Sequence, residues 1–272
     1  GNEVVNGEGK VDSISLHKMF YKVLKNNNLP ECQVIAAEGL CKLFLADIFT
    51  DDDLFETLVL SYFSPANTGN EPLIQVFAFS LPVYCLSHPT HQIKMSTVAS
   101  DVLLRLCILW SDLQNSTDQE TKKASMLKPN VIIQQLIHWT DPRKLVNRRE
   151  EETAKMSSQI NFLLELLNVF PQIEKKEIRR MILTNINNFY ITAEQPLEKL
   201  KSVQDLVNDL LENETLDHAC KNAVTKFKVN LDSQSAVAEA KARDDSEHDN
   251  LEYTDQQLSQ IIDESIIEEE ND

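Results

Sequence analysis

The sequence predicts an all-α fold: an α-solenoid of stacked antiparallel helix pairs, followed by an acidic, mostly disordered C-terminal tail. Three observations carry that prediction. Apolar residues recur at helical spacing in one segment after another, with no convincing alternating strand. Only five of 272 residues are glycine, while the nine prolines fall mostly at segment boundaries. Finally, the apolar positions of the inner segments cover two faces. That width is expected when a helix packs on its own partner and on both neighbouring repeats.

Residues 1–11 are polar and read as a leader. The helical pattern starts near Asp12, with Leu16, Met19, Phe20, Val23 and Leu24 on one face, and ends at Asn26-Asn27-Asn28. Pro30 suits the first turn of a second helix that runs to about Phe49. Thr50 is placed to cap a third, with Asp51, Asp52 and Asp53 filling its positive first turn and Leu54, Phe55, Leu58, Val59 and Tyr62 its apolar face. Pro72 opens a fourth helix to about Ser87, which Pro82 should kink. A fifth carries Val98, Val102, Leu103, Leu106 and Trp110. After a polar loop from about Ser111 to Lys128, Val131 to Trp139 forms a shorter sixth. Four more are expected near 148–170, 173–190, 194–212 and 214–230. A helix pair therefore takes about 40 residues, the period of HEAT and armadillo repeats. The solenoid is assigned to residues 12–230.

Residues 231–272 hold the tail, rich in Asp, Glu, Ser, Gln and Asn, a composition that seldom buries a core. One island, Leu258, Ile261, Ile262 and Ile266, has the pattern of a short partner-docking segment, with Thr254 and Gln257 as a capping box. Ser246, followed by Glu247 and Asp249, is a candidate for acid-directed phosphorylation, which would disfavour DNA nearby.

Charge is unevenly spread. The net charge is -17 overall, of which -12 falls after residue 230; residues 121–201 carry +5 and residues 1–120 carry -8. An acidic chain thus keeps a basic middle, and a nucleic-acid surface is not excluded. Arg143, Lys144, Arg148 and Arg149 flank the start of the seventh helix; Lys175, Lys176, Arg179 and Arg180 begin the eighth. Pairs four apart share a helical flank, so these groups are candidates for phosphate contact along a duplex. They are equally suited to a solvated face, since Glu150, Glu151, Glu152, Glu174 and Glu177 lie close enough to pair with them.

Chemistry of other kinds is hard to build. No phosphate-cradling glycine loop or nucleophile elbow is present, and no cofactor or small-molecule substrate is expected. No apolar run reaches a membrane span. Five scattered cysteines read as reduced thiols, four of them in the core. Cys85, His88 and His91 have metal-like spacing but lack a fourth ligand; a helical metal-dependent hydrolase is the rival they would support. Glu38 and Gly39 lie in the strongly apolar run Ala36-Ala37-Glu38-Gly39-Leu40-Cys41-Lys42-Leu43-Phe44-Leu45. They read as a structural motif, with Gly39 permitting close helix approach.

That run resembles a segment of the condensin G subunit, the non-SMC HEAT-repeat subunit of the CAP-G/Cnd3 family. Leu58-Val59-Leu60-Ser61-Tyr62-Phe63-Ser64-Pro65 and Leu81-Pro82-Val83-Tyr84 are similar to the same family, and the chain resembles the C-terminal part of a fungal-type member. The resemblance implies a non-catalytic HEAT arm of a longer subunit. Its implied partners are the kleisin subunit, the SMC subunits indirectly through the kleisin, and double-stranded DNA, which it would help clasp in mitotic chromosome condensation. It implies a nuclear and chromosomal location, with an additional cytoplasmic pool. The alternative is a peptide-binding HEAT scaffold, of transport-receptor or phosphatase type, without DNA binding.

Overall fold

The computed structural model describes residues 13–117, 126–146 and 157–269, with side chains described for 15–117, 126–146 and 157–244. Ten α-helices occur among the described residues. They are α1 (Ser13–Leu24), α2 (Pro30–Leu45), α3 (Asp52–Phe63), α4 (Glu71–Ser87), α5 (Pro89–Asn115), α6 (Pro129–Thr140), α7 (Gln159–Val169), α8 (Lys176–Asn185), α9 (Leu197–Asn213) and α10 (His218–Glu269). Proline occupies the first turn of α2, α4, α5 and α6, where its missing N–H costs nothing. No strand occurs among the described residues.

The helices sort into two layers by parity. In one, α1 packs on α3, α3 on α5, α5 on α7 and α7 on α9; in the other, α2 packs on α4, α4 on α6, α6 on α8 and α8 on α10. Cross-layer contacts join α1 to α2, α3 to α4, α5 to α6 and α9 to α10. A chain of antiparallel pairs, each touching only its neighbours, gives this pattern. Phe44, Phe55, Phe77, Trp139, Phe162, Phe170 and Phe227 are fully buried along its length. Each contributes about 1.5–3 kcal/mol on burial.

Buried amides pin the repeats where turns leave backbone groups unpaired. Gln33 Nε2 donates to the Leu24 carbonyl at 2.9 Å, Gln92 Nε2 to that of Asp141 at 3.0 Å, and Gln159 Nε2 to that of Ile137 at 2.8 Å. Gln159 Oε1 also accepts the Tyr190 N–H at 2.7 Å.

Several local expectations are corrected. Asp51 caps α3, accepting the Leu54 N–H at 2.7 Å, while the Thr50 carbonyl accepts from Lys94 instead. α5 reaches Asn115, beyond the expected loop start, because Ser111 still faces the core. A described helix begins at Gln159, while the start expected near 148, with Arg148, Arg149 and the three glutamates after them, lies outside the described residues. Gly39 is not a site of close approach: a Cβ placed there meets nothing within 4 Å. Glu38 is exposed and pairs with Lys42 at 2.6 Å.

The boundary at 230 also moves. Leu231, Ser235 and Ala238 continue the buried stripe of Cys220, Val224 and Phe227, so α10 packs well into the segment read as tail. Small residues at two of those positions hid the stripe from a hydrophobicity reading. Because α10 runs on to Glu269, no helix starts at Thr254; Ser246, Leu258, Ile261, Ile262 and Ile266 lie in its backbone, with side chains outside the described residues.

Candidate partner and nucleic-acid interface

The even layer carries an uncovered apolar row. Between Pro72 and Ser87, α4 has no charged residue, a composition usually reserved for helices buried all round. Phe77 obeys, at 0% exposure; Phe79 points outward and is 73% exposed, with Val83 one turn further along the same row. Ile35 and Leu45 are exposed on neighbouring α2, and Val131 on α6. Val146, also exposed, donates its N–H to the Leu86 carbonyl at 2.9 Å, extending the row past the end of α4. Tyr84, beneath the row, stacks on His91.

Towards α8 and α10 the same layer turns basic. Lys175 sits at the N-cap of α8, with Lys176 as its first residue. Lys176 and Arg180 are exposed, as are Lys144, between α6 and α7, and Lys221 and Lys226 on α10. The last two lie outside the basic runs that stand out in the sequence, on a helix that packs on α8.

The arginines are less available than the lysines. Arg143 lies in a 3-10 turn, Pro142–Lys144, and clasps the buried Asp141, its Nε donating to Oδ1 at 2.9 Å and to Oδ2 at 3.2 Å and a terminal nitrogen to Oδ2 at 2.8 Å. Its guanidinium also lies 4.5 Å from the Tyr190 ring, and the Asp141 hydrogen bonds push its pKa up. Arg179 pairs with Glu214 at 2.5 Å over the Phe170 ring. Arg180 pairs with Asp217. The partners of Arg179 and Arg180 come from the α9–α10 turn, rather than from Glu174 or Glu177. Arg179, Arg180, Glu214 and Asp217 line a cleft of about 520 Å³ that also includes Glu174, Lys176 and Leu183.

The odd layer carries carboxylates as well as cations such as Lys94 and Arg105. Among the carboxylates are Asp53 and Glu56 on α3, Asp101 on α5, Glu165 on α7 and Glu198, Asp205, Asp209 and Glu212 on α9. Burial pushes the Glu56 carboxyl up, Arg105 opposes that shift, and Asp101 and Asp53 add to it. Glu165 is pushed up by burial and by Asp101. Carboxylates on three successive helices therefore feel one another.

The metal-like trio does not assemble. Cys85 is buried inside α4, with its thiol pushed up by burial. His88 Nδ1 accepts the Thr90 N–H at 3.2 Å and caps α5. His91 places Nδ1 3.0 Å from the Tyr84 carbonyl and Nε2 3.0 Å from Asp47. No metal-holding cluster of three or more such residues occurs among the described residues. Cys41, Cys107 and Cys220 are buried free thiols and Cys32 is exposed. No helix among the described residues is long and apolar enough to cross a membrane.

Comparison with known proteins places this surface in context. Residues 1–191 match the family model described as nuclear condensing complex subunits, C-terminal domain. The chain is 56% identical over 272 residues to condensin complex subunit 3 of Saccharomyces cerevisiae, covering all of this chain and 26% of that protein. It is 26% identical over 190 residues to condensin complex subunit 3 of Schizosaccharomyces pombe, covering 68% of this chain and 21% of the relative. The chain thus spans about a quarter of the length of these curated relatives. Among solved structures, the S. pombe condensin Cnd3-Cnd2 subcomplex superposes with a TM-score of 0.68 at 21% identity, over 82% of this chain and 29% of that one.

Proposed function

The chain belongs to the family of nuclear condensing complex subunits, and from that premise we propose that it is a non-catalytic HEAT arm that holds a kleisin segment and touches duplex DNA. The single observation that carries this reading is the outward row of α4. A helix with no charge after Glu71 leaves Phe79 73% exposed in the middle of a layer whose other end is basic. An extended partner segment would bury Phe79, Val83 and Val146, while Lys144, Lys175, Lys176, Lys221 and Lys226 would neutralise phosphates beside it.

In this reading, the SMC subunits are reached through the kleisin, ATP hydrolysis lies elsewhere, and the site of action is the nucleus and its chromosomes, with an additional cytoplasmic pool. Arg148, Arg149 and Arg180 remain candidate phosphate contacts; Arg143 and Arg179 act chiefly in the fold. Phosphorylation of Ser246 would add negative charge to α10 and weaken the duplex contact. The island of Leu258, Ile261, Ile262 and Ile266 would offer a separate docking segment.

Co-purification of the 272-residue chain with the kleisin subunit tests the reading. Phe79→Glu with Val83→Glu is expected to weaken the complex more than tenfold, with the melting temperature unchanged. Equal kleisin retention by the variant would overturn it. One observation favours the alternative of a peptide scaffold without DNA binding: Arg143, Arg179 and Arg180 are already satisfied by carboxylates of this chain. A gel shift that is absent at low salt would decide for that alternative.

A further inference from the structure

The cleft between α8 and the α9–α10 turn holds its two arginines unequally. Arg179 has a side chain only 23% exposed, is stacked on Phe170, and pairs with a Glu214 that is 25% exposed. Arg180 is 56% exposed, and its partner Asp217 44%. An ion pair so open to water is weakly held, so an incoming anion can replace its acidic member at little cost. Phosphate offers a guanidinium the same forked geometry as carboxylate, with more charge.

Asp217 has two roles on its two oxygens. Oδ1 accepts the Cys220 N–H at 2.8 Å and caps the first turn of α10; Oδ2 meets Arg180. Loss of the second contact leaves the first in place, so α10 stays anchored when Arg180 departs. Lys176, one turn before Arg180, and Lys221, one turn after Asp217, flank the exchange point and are exposed. Neither makes an ion pair with a described carboxylate, so both lysines favour the arrival of a phosphate.

Building on the duplex-binding reading above, we propose that Asp217 is an internal competitor for DNA phosphates. It occupies Arg180 in the free protein, yields it to the duplex backbone, and thereby limits the affinity and salt sensitivity of this face. The different burial of two adjacent arginines and the divided roles of one carboxylate make this exchange possible.

Asp217→Asn is the decisive variant, because asparagine caps helices as well as aspartate does. Binding of a fluorescent DNA duplex to the full chain is measured by anisotropy across a salt series, with helicity checked by circular dichroism. The variant is expected to bind about three- to tenfold more tightly at low salt. Its plot of log K against log salt should steepen by about 0.9, the value for one further phosphate neutralised. Adding Arg180→Gln should abolish the gain. If the unmodified chain binds the duplex and Asp217→Asn leaves affinity and slope unchanged, the competitor role is overturned while the duplex reading stands. If neither form binds, the duplex reading itself falls and takes this inference with it.

Discussion

On α4, in the even layer, the outward row reads Gln75, Phe79 and Val83; on α7, in the odd layer, it reads Asn161, Glu165 and Asn168. Both helices bury phenylalanine completely on their inner sides, Phe77 on α4 and Phe162 on α7. The inner faces therefore solve the same problem, closing the core between neighbours. The outer faces do not. One keeps an apolar row exposed to water at a cost that only a covering partner would offset, and the other presents two amides and a carboxylate to water. The contrast teaches where this solenoid works: the layer that is less suited to water is the one with something to bind.

The largest test of that contrast lies within α4 itself. Phe77→Ala should cost about 3–5 kcal/mol, as expected for a large core truncation. Phe79→Ala, two residues away, should cost less than about 0.5 kcal/mol, the range for surface changes. Urea denaturation of both variants would measure the difference, and similar losses would erase the distinction between the two sides of the helix.

A second test separates arginines that build the fold from lysines that meet a partner. Arg143→Ala leaves the carboxylate of Asp141, whose side chain is 7% exposed, without its clasp. The expected loss is about 1–3 kcal/mol of stability, with little change in duplex binding. Lys176→Gln should do the reverse. It should keep the melting temperature and lower the salt slope of duplex binding by about 0.9. A stability loss for Lys176→Gln matching that of Arg143→Ala would show that the basic end is structural.

Gly39→Ala should stabilise the chain by about 1 kcal/mol, because alanine favours a helix interior and the space for its Cβ is open. Calorimetry showing destabilisation would restore the close approach that the sequence suggested.

The smallest effect belongs to the odd layer. The Glu56 carboxyl is held above its ordinary value, mainly by burial. The folded state therefore binds its proton more tightly than the unfolded state does. Stability from this group is present at low pH and is lost as pH rises through the folded pKa. Glu56→Gln should raise the melting temperature slightly at neutral pH and flatten that dependence. A pH profile identical to that of the unmodified chain would remove Glu56 from the account.

Much of the fold was legible because it is local. Helical periodicity and proline in first turns depend on residues within a few positions of one another, and they set the two-helix period. The last helix was misread past 230 for a local reason too, since Ser235 and Ala238 fill core positions without looking apolar. The basic candidates were visible as a cluster in sequence. Their division into structural arginines and uncommitted lysines was not, because Glu214 and Asp217 reach Arg179 and Arg180 from a turn more than thirty residues away.

By itself, then, the sequence determined an all-helical chain of repeated pairs, its acidic end and its family likeness, all written in short-range spacing and composition. Only the tertiary structure decided that Phe79 faces out while Phe77 faces in, and which cations already have partners. Layer membership follows from alternate helices packing side by side. Residues that share a surface are therefore drawn from every second helix, a grouping that no continuous stretch of sequence displays.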